Sequence, residues 1–193
     1  FTLDGDEDMQ PDFVWIKNRG ATGNHMIFDE VRDTGDLLYS NLTSAELAAG
    51  SNGHLESFDS NGFTLGDNSG VGSSNGSSET YVAWCWKESA TAGFDIVIWT
   101  GNNTARTISH SLSAVPAMII HKDRDVAQNW LMTHKGLAQM SAALHVLNDT
   151  EATGTSSGAF NGTAPTSSVF SVGANAETNA DGSAMLAYLW SEK

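Results

Sequence analysis

The chain has 193 residues with a formal net charge of −14, 40% hydrophobic and 17% charged residues, and one cysteine. That length suits one large β domain or two small ones, and the charge disfavours nucleic acid and anionic membrane as partners. A single Cys85 excludes an internal disulfide scaffold and a cysteine-rich zinc site, and no apolar run approaches the roughly 18 residues a membrane-spanning helix needs.

The chain opens on Phe rather than Met and shows no signal-peptide pattern, so it is read as a segment or processed form of something longer. Residues 1–10 form an acidic N-terminal segment with Asp4, Asp6, Glu7 and Asp8. Asp4, Asp6 and Asp8 alternate as at the start of a Ca²⁺ loop and are the one candidate metal site. The turn glycine and the closing glutamate of an EF-hand are missing, however, since Met9 and Trp15 stand there. A solvated acidic end is the favoured reading, with no cofactor.

The first strand signal is PDFVWIKNR, Pro11 to Arg19, and it returns as PAMIIHKDR, Pro116 to Arg124. The echo continues in the same order. GNHMIFD (Gly23 to Asp29) returns as QNWLMTH (Gln128 to His134), FTLG (Phe63 to Gly66) as FSVG (Phe170 to Gly173), and YVAWCW (Tyr81 to Trp86) as MLAYLW (Met185 to Trp190). Four blocks in one order at nearly constant spacing mark an internal duplication. Thr43 to Gly50 predicts a helix of one or two turns, with Thr43 and Glu46 at capping-box spacing and Gly50 at its end. YVAWCW lacks apolar–polar alternation and reads as a strand buried on both faces. GFDIVIWTGNN (Gly93 to Asn103) reads as a further strand, and the end of the stretch Gly136 to Asn148 as another. The turns between them are rich in Gly, Asn, Asp and Ser.

These elements predict an all-β, two-layer antiparallel β-sandwich of concanavalin or jelly-roll type, with short helices at most. It comprises one domain over residues 11–193, made of repeat halves 11–92 and 93–193; two small β domains are the alternative. One apolar sheet face per half would be covered by the other copy.

The phrases PDFVWIKNR, FDEVRDTGDLLYSN, LESFDSNGFTLG, YVAWCWK, GFDIVIWTGN, TISHSLSAVPAMIIHKDR, NWLMTHKGL and SVFSVG follow one another in that order. In this the chain resembles the repeat module of large virion structural or tail-fibre proteins of tailed phages, marine ones especially, from Pro11 to Lys193. The resemblance implies a β-sandwich on the virion surface, outside the cell, as a tail-fibre, spike or capsid-decoration module. Its partners would be other virion subunits in a homo-oligomer. It carries over no catalytic residue. A lectin-like module recognising a host surface glycan is the alternative, and a glycoside hydrolase a remote one.

Trp84 and Trp86 have aromatic counterparts in Tyr188 and Trp190 and read as shared core. Trp15, Trp99 and Trp130 lack such counterparts and are the candidates for ligand or partner contact. Lys17 and Arg19 recur as Lys122 and Arg124. Their local reading is pairing with acids such as Asp29, Asp123 or Asp125, and their functional reading is docking onto an acidic subunit. The six histidines show no H-x-x-x-H or HExxH spacing, no facing pair of carboxylates on one strand stands out beyond the acidic N-terminus, and Cys85 lies inside an aromatic strand. The expectation is a protein that is not an enzyme.

Overall fold

The computed structural model describes residues 1–3, 5, 8–48, 54–66 and 74–193. The chain forms two compact units, Phe1–Leu42 with Glu46–Glu88, and Thr43–Ala45 with Ser89–Lys193. Both are built almost wholly from antiparallel strands, so the fold is all-β.

In the first unit β1 (Phe13–Asn18), β2 (His25–Asp29), β3 (Leu38–Tyr39) and β6 (Tyr81–Trp86) form a sheet in the order β3-β2-β1-β6, and β4 (Leu55–Asp59) pairs with β5 (Gly62–Leu65) as a hairpin. Side chains alternate across a strand. Val14 and Ile16 of β1 and Met26 and Phe28 of β2 therefore share one face. They pack with Leu37 and, from the hairpin layer, Leu55 and Phe63. The hairpin turns at Gly62, whose φ of 141° and the Phe1 carbonyl at 1.9 Å from an added Cβ admit no side chain. Phe1 to Leu3 pair onto this turn through Phe63 N–H to Phe1 O and Leu3 N–H to Asn61 O.

The second unit holds β7 (Phe94–Thr100), β8 (Arg106–Ser109), β9 (Pro116–Asp123), β10 (Leu131–His134), β11 (Ala143–Val146), β12 (Gly154–Thr155), β13 (Val169–Val172) and β14 (Ala184–Ser191), with one-turn helices α1 (Ser157–Phe160) and α2 (Ala176–Asn179). Its main sheet runs β12-β11-β10-β9-β14-β7, and β13 pairs with β8. The core between these layers contains Ile108, Leu112, Ile119, Phe170, Val172, Ala187 and Leu189. Each unit thus covers its own sheet with its own second layer, and each is a two-layer antiparallel sandwich.

The order β11-β10-β9-β14 repeats β3-β2-β1-β6, so the sequence duplication is a duplication of topology. It holds at the level of single hydrogen bonds. The Asn41 carboxamide accepts from His25 N–H at 2.7 Å and donates to Asn24; that of Asn148 accepts from Trp130 N–H at 2.7 Å and donates to Asn129. Asn18 Oδ1 accepts from Gly20 and Ala21 N–H, and Asp123 Oδ1 from Asp125 and Val126 N–H. These are equivalent Asx turns at the ends of β1 and β9.

Two expectations are corrected. The described part of Thr43 to Gly50 is not helical. Glu46 is bound instead by Arg32 at 2.7 Å, which also pairs with Asp29 at 2.6 Å, and Leu47 bridges to Leu37. A buried guanidinium needs both carboxylates, and that demand overrides the local cap. The strand YVAWCW is not buried on both faces, for Trp84 is 47% exposed. β6 is the edge of its sheet, whereas its equivalent β14 lies between β9 and β7.

Candidate functional site: an open tryptophan groove

The register sets Trp15 of β1 beside Trp84 of β6, and Lys17 beside His25 of β2. With Trp86 these side chains occupy the sheet face opposite the first unit's core. They line an open groove of ≈ 410 Å³. The indoles of Trp15 and Trp84 meet edge-to-face with centroids 6.1 Å apart, and Trp86 meets Phe13 likewise at 5.3 Å. Lys17 Nζ donates to Asn18 O at 2.6 Å and Ala21 O at 3.3 Å, so it closes its Asx turn. Partial burial, and then the Lys17 charge, hold the His25 imidazole below its ordinary pKa. The groove therefore offers an apolar aromatic floor with one ammonium at its rim. It suits a segment that brings small or apolar atoms to the floor and a carbonyl or carboxylate to the cation.

The second unit places Ile120, Lys122, Trp130, Tyr188 and Trp190 at the equivalent positions, and there the face is closed. Lys122 and Trp130 have no exposed surface and Tyr188 has 1%. Trp130 stacks on Tyr188, and Tyr188 on Phe94 of β7. Lys122 Nζ donates to Val126 O at 3.4 Å, Gln128 O at 2.9 Å and Thr43 O at 3.1 Å. Val126 is the equivalent of Ala21. Burial pushes the Lys122 ammonium down to about 8 against the pull of Asp123, so it stays protonated at neutral pH.

Of the residues read from sequence as contact candidates, Trp15 and Lys17 lie in the groove. Trp130 and Lys122 are corrected to buried structural groups. Trp99 is packed edge-on against His121 and Phe170 and belongs to the second unit's core. Arg19 is exposed and Arg124 half-buried at the ends of their turns. Among the described residues neither lysine forms a salt bridge with an acid; both donate to backbone carbonyls. Of the Ca²⁺ candidates, Asp4 and Asp6 lie outside the described residues and Asp8 is exposed. Among the described residues no three His, Cys, Asp or Glu side chains are grouped to hold a metal.

Trp84, Trp86 and His25 were missed as groove residues. The available signal was parity: once Val14 and Ile16 face the core, Trp15 faces away, and its partner on the neighbouring strand must too. Cys85, on the opposite parity, packs against the first unit's core, and burial pushes its thiol up to about 11. At pH 8 it is expected to react with a soluble disulfide reagent at least ~100-fold more slowly than the same thiol in the urea-unfolded chain. Equal rates would place Cys85 in the solvent.

The domain model DUF7483, described as a domain of unknown function, matches residues 6–193. No curated protein and no solved structure matches the chain.

Proposed function

Because the chain belongs to the DUF7483 family, whose function is undefined, we propose its role from the groove and from the resemblance of its ordered phrases to phage modules: a non-enzymatic structural module of a virion surface, in a tail fibre, spike or capsid decoration, making subunit and host-surface contacts. One observation carries the reading. The sheet face that is closed in the second repeat is buried in the first at Phe13, Ile27 and Leu38 but left open at its Trp15 and Lys17 end, with Trp84 47% exposed. An exposed aromatic cluster of this kind marks a contact surface, and the net charge of −14 limits non-specific adhesion to nucleic acid and membranes. The test is quantitative mass spectrometry of purified particles, followed by their imaging. The chain is expected in many copies per particle; its absence from washed particles would sink the reading.

A second reading follows from the same indoles. Trp15, Trp84 and Trp86 beside Lys17 and His25 form an aromatic platform of the sort that stacks on sugar rings, so a lectin-like contact with a host glycan is the alternative. On a glycan array, binding by the native chain that disappears with Trp84→Ala would favour it, and an array blank for both proteins would dismiss it.

A further inference from the structure

The closed face of the second unit shows what the open groove at the equivalent end of the first unit's face is built to receive. Lys122 Nζ takes one carbonyl from outside its own turn, that of Thr43, and Thr43–Ala45 belong to the second unit although they follow β3 in sequence. Thr43 lies two residues beyond Asn41, the asparagine that caps His25 N–H. The repeat equivalent of Asn41 is Asn148, which caps Trp130 N–H in the same way. Leu42 N–H to Tyr39 O and Asp149 N–H to Val146 O extend the match. The equivalent of Asn41-Leu42-Thr43-Ser44-Ala45 is therefore Asn148-Asp149-Thr150-Glu151-Ala152. Residues 149–152 are exposed. The chain thus carries one filled pairing of lysine and loop, and one open lysine groove with one unplaced loop.

We propose that the loop 149–152 of one copy docks in the Trp15/Trp84/Trp86 groove of a second copy, with Lys17 Nζ donating to the Thr150 carbonyl as Lys122 donates to that of Thr43. The inference rests on the structural-module reading and names its partner. Charge selects this pairing. The filled loop carries Leu42 and Ser44; the free loop carries Asp149 and Glu151, and the open groove carries the Lys17 ammonium at its rim. An acidic loop thus meets the cationic rim. The contact joins two different surfaces and is heterologous, so it repeats from copy to copy and builds rings or filaments.

Sedimentation velocity on the full chain, from low micromolar to millimolar concentration, tests this. The native chain is expected to self-associate with concentration, and less so as salt is raised. Trp84→Ala and Lys17→Glu in the groove, and the double change Asp149→Lys with Glu151→Lys in the loop, should each weaken association at least ~10-fold, or about 1.4 kcal/mol. All alter exposed or rim positions, and an unchanged thermal midpoint verifies folding. The decisive sample is an equal mixture of the Trp84→Ala chain, whose loop is intact, with the loop variant, whose groove is intact. It should form one-to-one dimers and stop there. A native chain that stays monomeric, variants that associate like the native chain, or a mixture that stays monomeric would each overturn the proposal. A chain present in particles yet monomeric in solution sinks this inference alone. A chain absent from particles sinks the structural-module reading, and the measured self-association then stands by itself.

Discussion

Lys122→Met is expected to destabilise the second unit by about 3–5 kcal/mol, and Lys17→Met to destabilise the first by less than about 1 kcal/mol. The two lysines share one motif, one position on equivalent strands and one local hydrogen bond, to Val126 O and to Ala21 O. What differs is the surroundings. Lys122 has no exposed surface and serves three carbonyls. Methionine fills the path of the lysine stem and ends one atom short of the ammonium, so little cavity forms. The loss is of three charge-assisted bonds, with the freed carbonyls left in a dry site. Lys17 stands at an open groove, where water replaces its ammonium. Urea unfolding followed by tryptophan fluorescence gives both numbers, provided the slope with denaturant stays constant. Similar costs at the two positions would mean that the closed face of the second unit is hydrated.

The duplication was legible because it is written in spacing, and spacing survives drift in side-chain identity. Strand order followed from it: equivalent blocks became equivalent strands in equivalent places. What lay beyond reach was the cover on each sheet face. The aromatic pair Trp84 and Trp86 matches Tyr188 and Trp190, and a shared packing role was the natural inference. A strand's sequence records which residues tolerate burial, not which neighbour provides it. β14 has β7 on its far side and, among the described residues, β6 has no such neighbour, so similar aromatics end in a core in one unit and in a groove in the other. The lysines show a subtler loss. Asn18 and Asp123 are ordinary Asx-turn formers, and the turns they close bring the carbonyls of Ala21 and Val126 to the ammonium. Charge counting pointed to carboxylates instead. The predicted helix at Thr43 failed for a tertiary reason, since Arg32 needs Glu46 more than the local backbone does.

One position breaks the repeat inside the core. His121 stands where the first unit has Ile16. It has no exposed surface and packs against Trp99, Phe160 and Phe170 at centroid distances of 6.1, 5.3 and 5.5 Å. Among the described residues neither ring nitrogen has a hydrogen-bond partner, and burial pushes its pKa down to about 3 from an ordinary 6.5. Below pH 6.5 the unfolded chain gains a proton that the folded chain does not accept. Stability therefore falls as pH drops from 6.5 towards 3, by about 1.4 kcal/mol per unit from this residue. His121→Ile restores the other repeat's solution at similar volume. It should raise the stability of the second unit by roughly 2 kcal/mol at pH 7, where it removes a stranded donor and acceptor, and by about 4 kcal/mol at pH 5, where the proton linkage is added. Carboxylates titrate in both proteins and cancel in the difference. Urea midpoints from pH 7 down to pH 4.5 should diverge steadily in favour of the isoleucine variant. Parallel curves would mean that the His121 ring keeps its ordinary affinity for protons, with water reaching it through the core.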